Sequence, residues 1–346
     1  MVRRNGFVAL GLLLAVTLGP AAAFAKDKIT AVMSTHGFVY LPALVADALG
    51  YFEQEDLAVS ITLTGGESKS LAALIGGGAE VYVGSPATAL RARASGTDPL
   101  VVGAMTTQFA SNLVISGAWA KKHGITESSS YQDKLKALKG ATLAITAPGS
   151  GTDLIVRFLS KQAGLNPDRD LTITALGTAD TMTAAITQGR IDGFSLSAPA
   201  AENIVKNHGG VMLFNFAKGE VKELDGFLYI GVVVRESWAK QNPDVMVRYL
   251  RAQQRALNAI HDQNLTTVAR DAVWKKYHSK VEQSFFNYVW NETVPAYPKS
   301  VAVNADQMRR VVEFVNEFEK QPLDPAFVEK GWTDQYAKSA IATPKK

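Results

Sequence analysis

No cysteine occurs among the 346 residues. That absence excludes a disulfide framework, a Cys-ligated zinc or iron–sulfur site and a thiol nucleophile. Excess charge of one sign is missing too. With 36 Lys plus Arg against 32 Asp plus Glu the formal net charge is +4, and no basic run interleaved with aromatics precedes the trailing Lys345-Lys346. Nothing therefore marks a nucleic-acid surface. His36, His123, His208, His261 and His278 show neither HExxH nor HxH spacing, and no G-x-S-x-G elbow occurs, so metal and serine-hydrolase chemistry lack their usual signatures. No pair of carboxylates is marked out by its surroundings for acid–base work. The expectation is a binding function rather than an enzyme, with no cofactor, no metal and no catalytic residue. What the chain does have is 47% apolar and 20% charged residues, the balance of a folded protein. Its length exceeds the roughly 250 residues at which single cores stop growing, so two domains are expected.

The start reads as an address. Arg3-Arg4 precede an apolar run from Phe7 to Leu18 that is too short for a comfortable membrane span. Pro20 breaks the run, and Ala23-Phe24-Ala25 places small residues where a signal peptidase reads. Residues 1–25 are expected to be a cleavable secretory signal. Arg3-Arg4 carry little weight as a twin-arginine motif because Phe7 lies one place too far along. An acyl anchor would need a cysteine at the new N-terminus, so the mature chain is expected free in the periplasm.

Beyond that start, short β-prone runs alternate with helical spacing. Ile29–Met33 reads as a strand, Leu41, Leu44, Val45, Ala48 and Leu49 as a helix stopped by Gly50, and Val59–Leu63 as a strand. A helix ending at Gly76-Gly77-Gly78 follows, then the strand Val81–Val83. From Ala141 the same order returns: strand, the loop Pro148–Thr152, helix, strand Leu171–Leu176, helix to Gly189, strand Ile191–Ser195. A shift of about 112 residues lays Gly65 on Gly177, Gly77 on Gly189, Glu80 on Asp192 and Ser85 on Ser197. The expected fold class is α/β: two similar lobes, each a mostly parallel sheet flanked by helices, joined by two hinge strands. Leu113–Ser116 and Tyr229–Val234 suit the crossings. Helical spacing after Arg235 returns the chain to the first lobe. The expected division is 26–115 plus 228–346 against 116–227.

In open parallel sheets ligands lie beyond the carboxyl ends of strands, where helix N-termini offer backbone N–H groups. The strand-end loops here are rich in Gly, Ser and Thr. Pro148-Gly-Ser-Gly-Thr-Asp153 follows a strand and opens a helix without the Lys of a P-loop. Ser150, Gly151 and Thr152 there are either helix cap alone or cap plus ligand contact. Asp153 argues against a strongly anionic ligand unless its side chain turns away. His36, Phe38 and Tyr40 in the first loop stack against or wall off a ligand, with core packing an equal reading for Phe38. Gly66, Glu67, Thr107 and Gln108 are further candidates, and Ser85 and Ser197 gain weight from their matched places in the repeat.

Gly50-Tyr-Phe-Glu-Gln-Glu-Asp-Leu-Ala-Val59 resembles the G-Y-F-x-x-x-G-L-x-V signature of periplasmic substrate-binding proteins of the nitrate/sulfonate/taurine ABC-transporter class. The resemblance continues through Leu71–Val81, Leu138–Ile145, Gly149–Thr152 and Ala184–Phe194. It implies a type II periplasmic-binding fold that closes on a small polar or acidic organic molecule, such as a sulfonate, a nitrate-like anion or an aromatic acid. Its partners would be that ligand, an ABC permease and its ATPase, with the receptor itself a monomer. It also maps Ser85, Ser150 to Thr152 and Ser197 onto ligand loops. The same superfamily includes binders of pyrimidine thiamine precursors and related enzymes, which stand as the alternative, and a sensor feeding a membrane kinase would share the fold. Asp56 departs from the signature, standing where that class has glycine.

Overall fold

The computed structural model describes residues 1, 26–317 and 322–343. The expected signal segment lies outside the described residues, apart from Met1. Among the described residues ten strands form two five-stranded sheets. The first sheet contains β1 (Asp27–Met33), β2 (Leu57–Leu63), β3 (Val81–Gly84), β4 (Pro99–Gln108) and, from far along the chain, β10 (Asp225–Arg235), in the order β2-β1-β3-β10-β4. The second contains β5 (Ser111–Ile115), β6 (Thr142–Ile145), β7 (Thr172–Ala175), β8 (Gly193–Ser197) and β9 (Val211–Phe214), in the order β7-β6-β8-β5-β9. In each sheet a single strand runs against its neighbours, β10 in the first and β5 in the second. Helices pack on both.

The repeat seen in the sequence is a repeat of hydrogen bonds. Thr30 N–H donates to Glu80 Oε2 at 2.7 Å, and the matched Thr142 N–H donates to Asp192 Oδ2 at 2.8 Å. In return Glu80 N–H bonds the Thr30 carbonyl, as Asp192 N–H bonds that of Thr142. A carboxylate at this place ties the turn before the third strand of each half back to the first strand. The matched turn glycines share a conformation as well. Gly65, Gly77, Gly177 and Gly189 all have φ between +68° and +79°, which only glycine adopts without strain.

The apolar runs expected at the crossings are strand interiors. Leu113, Val114 and Ile115 are fully buried within β5 of the second sheet, and Ile230 to Val234 lie within β10 of the first. The chain passes between sheets just outside them, at Phe109-Ala110 and through residues 215–224. Phe109 sits at the first passage with its ring centroid 4.0 Å from that of Tyr229 and 5.6 Å from that of Phe216, which lies in the second passage. Aromatic side chains thus pin the two passages to each other. Apolar β-runs belong where they are covered on both faces, so a passage between sheets falls at their ends.

The segment Gly50 to Val59 has a structural job. Gly50 stops helix Leu41–Ala48 at φ +68°, and Phe52 stacks on Tyr249 of helix Pro243–His261 with ring centroids 5.1 Å apart. Glu55, fully buried, pairs with Arg251 of the same helix at 2.8 Å. The motif therefore seats a C-terminal helix against the first half. Asp56 takes φ +57°, the conformation a glycine would take at no cost. Asp56→Val should lower stability by about 1–2 kcal/mol, because a β-branched residue is strained there, whereas Asp56→Gly should leave the urea midpoint nearly unchanged. Equal losses in both variants would show that the Asp56 side chain matters more than its backbone.

Candidate functional site

The two sheets direct the carboxyl ends of their parallel strands at one another, and a narrow seam lies between them. From the first half, Ser34 and Thr35 after β1, then Val39, Tyr40 and Glu67, line it, together with Tyr229 of β10. From the second half come Ser111 of β5, Thr146 after β6, Thr152, and Leu196 and Ser197 at the end of β8. The space left between them for the centre of a water-sized sphere is about 10 Å³, room for about one water. The halves are in contact.

Glycines make that contact possible. A Cβ on Gly37 would lie 2.1 Å from Ser197 Oγ, one on Gly177 would lie 2.7 Å from the Gly65 carbonyl oxygen, and one on Gly151 would lie 2.5 Å from Tyr229 Cε2. Gly65 and Gly177, partners in the repeat, thus meet each other across the seam.

Hydroxyls dominate the lining. Tyr40 and Ser34 share a hydrogen bond of 2.6 Å. Tyr229 donates to Ser111 Oγ at 2.6 Å, a bond from the first sheet to the second. Thr146, Ser150 and Thr152 form a closed triangle of hydroxyls with sides of 2.8–3.0 Å. Ser197 Oγ is buried, and no partner for it exists among the described residues.

Glu67 is the charged side chain in the lining. It opens helix Glu67–Ile75, is 4% exposed, and accepts a bond of 3.3 Å from the N–H of Gly151, where helix Gly151–Gln162 begins. Burial pushes its pKa up to about 7, against the opposing pull of the Gly151 N–H, the Arg91 guanidinium, the Ser85 N–H and the Tyr40 hydroxyl. Burial also raises Tyr40, Tyr82 and Tyr229, and the neighbouring Glu67 charge adds to the effect on each, so all three remain protonated donors. Arg91 itself reaches across to the Gly149 carbonyl, which Thr88 Oγ1 also contacts at 3.3 Å.

Of the residues expected from sequence, Tyr40, Glu67, Thr152 and Ser197 line the seam. Ser150 and Gly151 stand directly behind it through the contacts just described, and Gly66 abuts Ala147 of the opposite half. Ser85 caps helix Pro86–Ala94 and donates its N–H to Tyr82 Oη at 3.0 Å. Four others point elsewhere. Phe38 is fully buried among Phe286, Trp290 and His278, so the core reading of it is the one realised. His36 lies against the Tyr277 ring, and burial lowers its pKa. Thr107 is only half-buried near the end of β4, outside the lining, and Gln108 is bonded to Asp225 at 2.9 Å. Asp153 has turned away: its carboxylate accepts the Gly149 N–H at 2.7 Å and pairs with Arg157 at 2.9 Å.

Ser34, Thr35, Val39, Ser111, Thr146, Leu196 and Tyr229 also line the seam, and none of them was a candidate site residue from the sequence. Thr146 was within reach, since the same shift that pairs Ser85 with Ser197 lays it on Ser34. Ser111 and Tyr229 sit on the two reversed strands, which no repeat connects.

A wider groove of about 500 Å³ runs between helix Ala200–His208 and helix Gln283–Thr293. Ion pairs of Lys206 with Glu282 and of Lys218 with Glu292 bridge it. Glu202 on its wall accepts from Asn112 at 2.8 Å through Oε1, while its Oε2 is buried without a partner among the described residues.

Comparison with known proteins fits this architecture. YtlA of Bacillus subtilis (strain 168) is 23% identical over 259 residues, covering 73% of this chain and 72% of that protein. Among solved structures, a Bordetella bronchiseptica RB50 protein superposes with a TM-score of 0.78 at 22% identity, over 92% of this chain and 98% of its own. The alkanesulfonate-binding protein SsuA of Xanthomonas axonopodis pv. citri, bound to MOPS, gives 0.71 at 16% identity over 90% and 98%. The periplasmic nitrate-binding protein NrtA of Synechocystis PCC 6803 also gives 0.71, at 13% identity over 92% and 88%. The periplasmic-binding fold, two α/β halves around a seam, is thus the fold of this chain. Residues 16–273 match the model of the NMT1-like family, and the chain belongs to that family.

Proposed function

We propose that this protein is a solute receptor of an ABC importer, exported to the periplasm, that holds a small organic molecule in the seam between its halves and passes it to a membrane permease. The observation that carries the reading is the seam itself: repeat-related strand ends, lined by hydroxyls, closing on each other through glycines. Its resemblance in fold to proteins described as binding alkanesulfonates and nitrate supports the same use. Tyr40, Glu67, Ser150, Gly151, Thr152 and Ser197, with Ser34, Ser111, Thr146 and Tyr229, would contact the ligand. Because the closed seam holds about one water, admission requires the halves to part, with the passages at residues 109–110 and 215–224 as the hinge. The chemistry proposed is binding without bond-making, for which the lining offers hydroxyl donors and acceptors.

Thermal-shift screening of sulfonates, aromatic acids, pyrimidines and amines should find compounds that raise the melting temperature. Gly151→Ala then tests where they bind. The new methyl group strikes the Tyr229 ring only when the halves meet, and overpacking of this kind costs about 1–3 kcal/mol. Calorimetric affinity should fall about tenfold or more, with the fold intact by circular dichroism. Undiminished affinity would place the ligand outside the seam.

A further inference from the structure

We propose, resting on the reading of the seam as the ligand site, that its ligand presents N–H donors to Glu67, as an amine, an amidine or an amino-substituted ring does, and is not an anion. Oxyanion sites are made of helix N-terminal N–H groups and cationic side chains. Here the N–H at the start of helix Gly151–Gln162 donates to Glu67 Oε2 at 3.3 Å, and the Ser85 N–H at the head of helix Pro86–Ala94 donates to Tyr82 Oη at 3.0 Å while adding its pull on that carboxyl. The nearby guanidinium of Arg91 bonds the Gly149 carbonyl. The groups that would hold a sulfonate are thus turned onto the protein's own carboxylate, a tyrosine hydroxyl and a carbonyl oxygen.

The rest of the polar lining is hydroxyl, able to donate or accept as a ligand requires. Glu67, 4% exposed, brings the only formal charge among the residues that line the seam, and no Lys or Arg stands among them. An anion would be shut in against a carboxylate in a dry gap, where like charges repel strongly. A ligand N–H would instead face an acceptor whose desolvation it relieves. The ionisable groups turned toward Glu67 are Tyr40 before helix Leu41–Ala48, Tyr82 of β3, Tyr229 of β10 and Arg91 of helix Pro86–Ala94. The tyrosines stay neutral, so the pH response of binding belongs to Glu67.

Matched pairs test this: benzamidine against benzenesulfonate, and butylamine against butanesulfonate, titrated calorimetrically into the full chain between pH 6 and 8.5. The nitrogen member of at least one pair should bind ten times or more tighter than its sulfonate at pH 8. Its affinity should rise from pH 6 to 8, and Glu67→Gln should weaken it at least tenfold. A sulfonate that binds as tightly as its partner at pH 8, or that is indifferent to Glu67→Gln, overturns the proposal while leaving the receptor reading standing. Probes that bind Gly151→Ala as well as the parent, or silence from both series, count against the seam as a ligand site and so against both readings.

Discussion

At pH 8 the ligand-free Glu67→Gln variant should favour contact between its halves over separation by up to about 3 kcal/mol more than the parent protein does, the ceiling set by a carboxyl held at about 7 instead of its ordinary 4.5. The sign follows from where the proton is held more firmly. A raised acid pKa means the closed seam binds the proton that the open, solvated carboxyl has released. Below pH 4.5 both arrangements carry it, and the residue makes no difference. From there to pH 7 the closed arrangement loses ground steadily, and above pH 7 the whole cost is present. Glutamine keeps an acceptor for the Gly151 N–H and removes the charge. Small-angle scattering between pH 4 and 8.5 should show the parent expanding through the window from about 5 to 7.5 and the variant unchanged. Superimposable curves for the two proteins would refute the assignment.

Phe38→Ala should cost about 3–5 kcal/mol of folding stability. The ring is fully buried, 5.0 Å from Phe286 and 6.3 Å from Trp290 between centroids. Its own backbone joins the two halves: the N–H bonds the Ala198 carbonyl at 2.7 Å, and the carbonyl accepts from Tyr297 Oη at 2.7 Å. Truncation leaves a cavity in a cluster of rigid aromatics that cannot collapse to fill it. Urea denaturation is the measurement. A loss below about 1 kcal/mol, together with a large loss of ligand affinity, would restore Phe38 to the seam and remove it from the core.

The halves and their repeat were legible because they depend on local rules. Alternating strands and helices, with turn glycines at matched spacing, specify the same unit twice, and the Glu80 and Asp192 carboxylates hold matching bonds in the two copies. The Gly-Ser-Gly-Thr loop was legible for the same reason, since a strand end running into a helix start has a recognisable composition. The family signature was visible but mute as to purpose. Phe52 and Glu55 turn out to serve the docking of a helix some 190 residues further on, and no local rule states that.

By itself the sequence determined the α/β class, the absence of thiol chemistry and the strand-end loops rich in small hydroxylated residues, because each follows from residue type and spacing. Tertiary structure alone decided which side chains share the seam. Ser111 and Tyr229 are 118 positions apart and reach each other only because β5 and β10 run against their sheets, while Phe38, next in sequence to the seam-lining Val39, is turned into the core. It also decided the character of Glu67: a carboxylate on a solvated loop is ordinary, whereas here tyrosines of its own half and the Gly151 N–H of the opposite half enclose it.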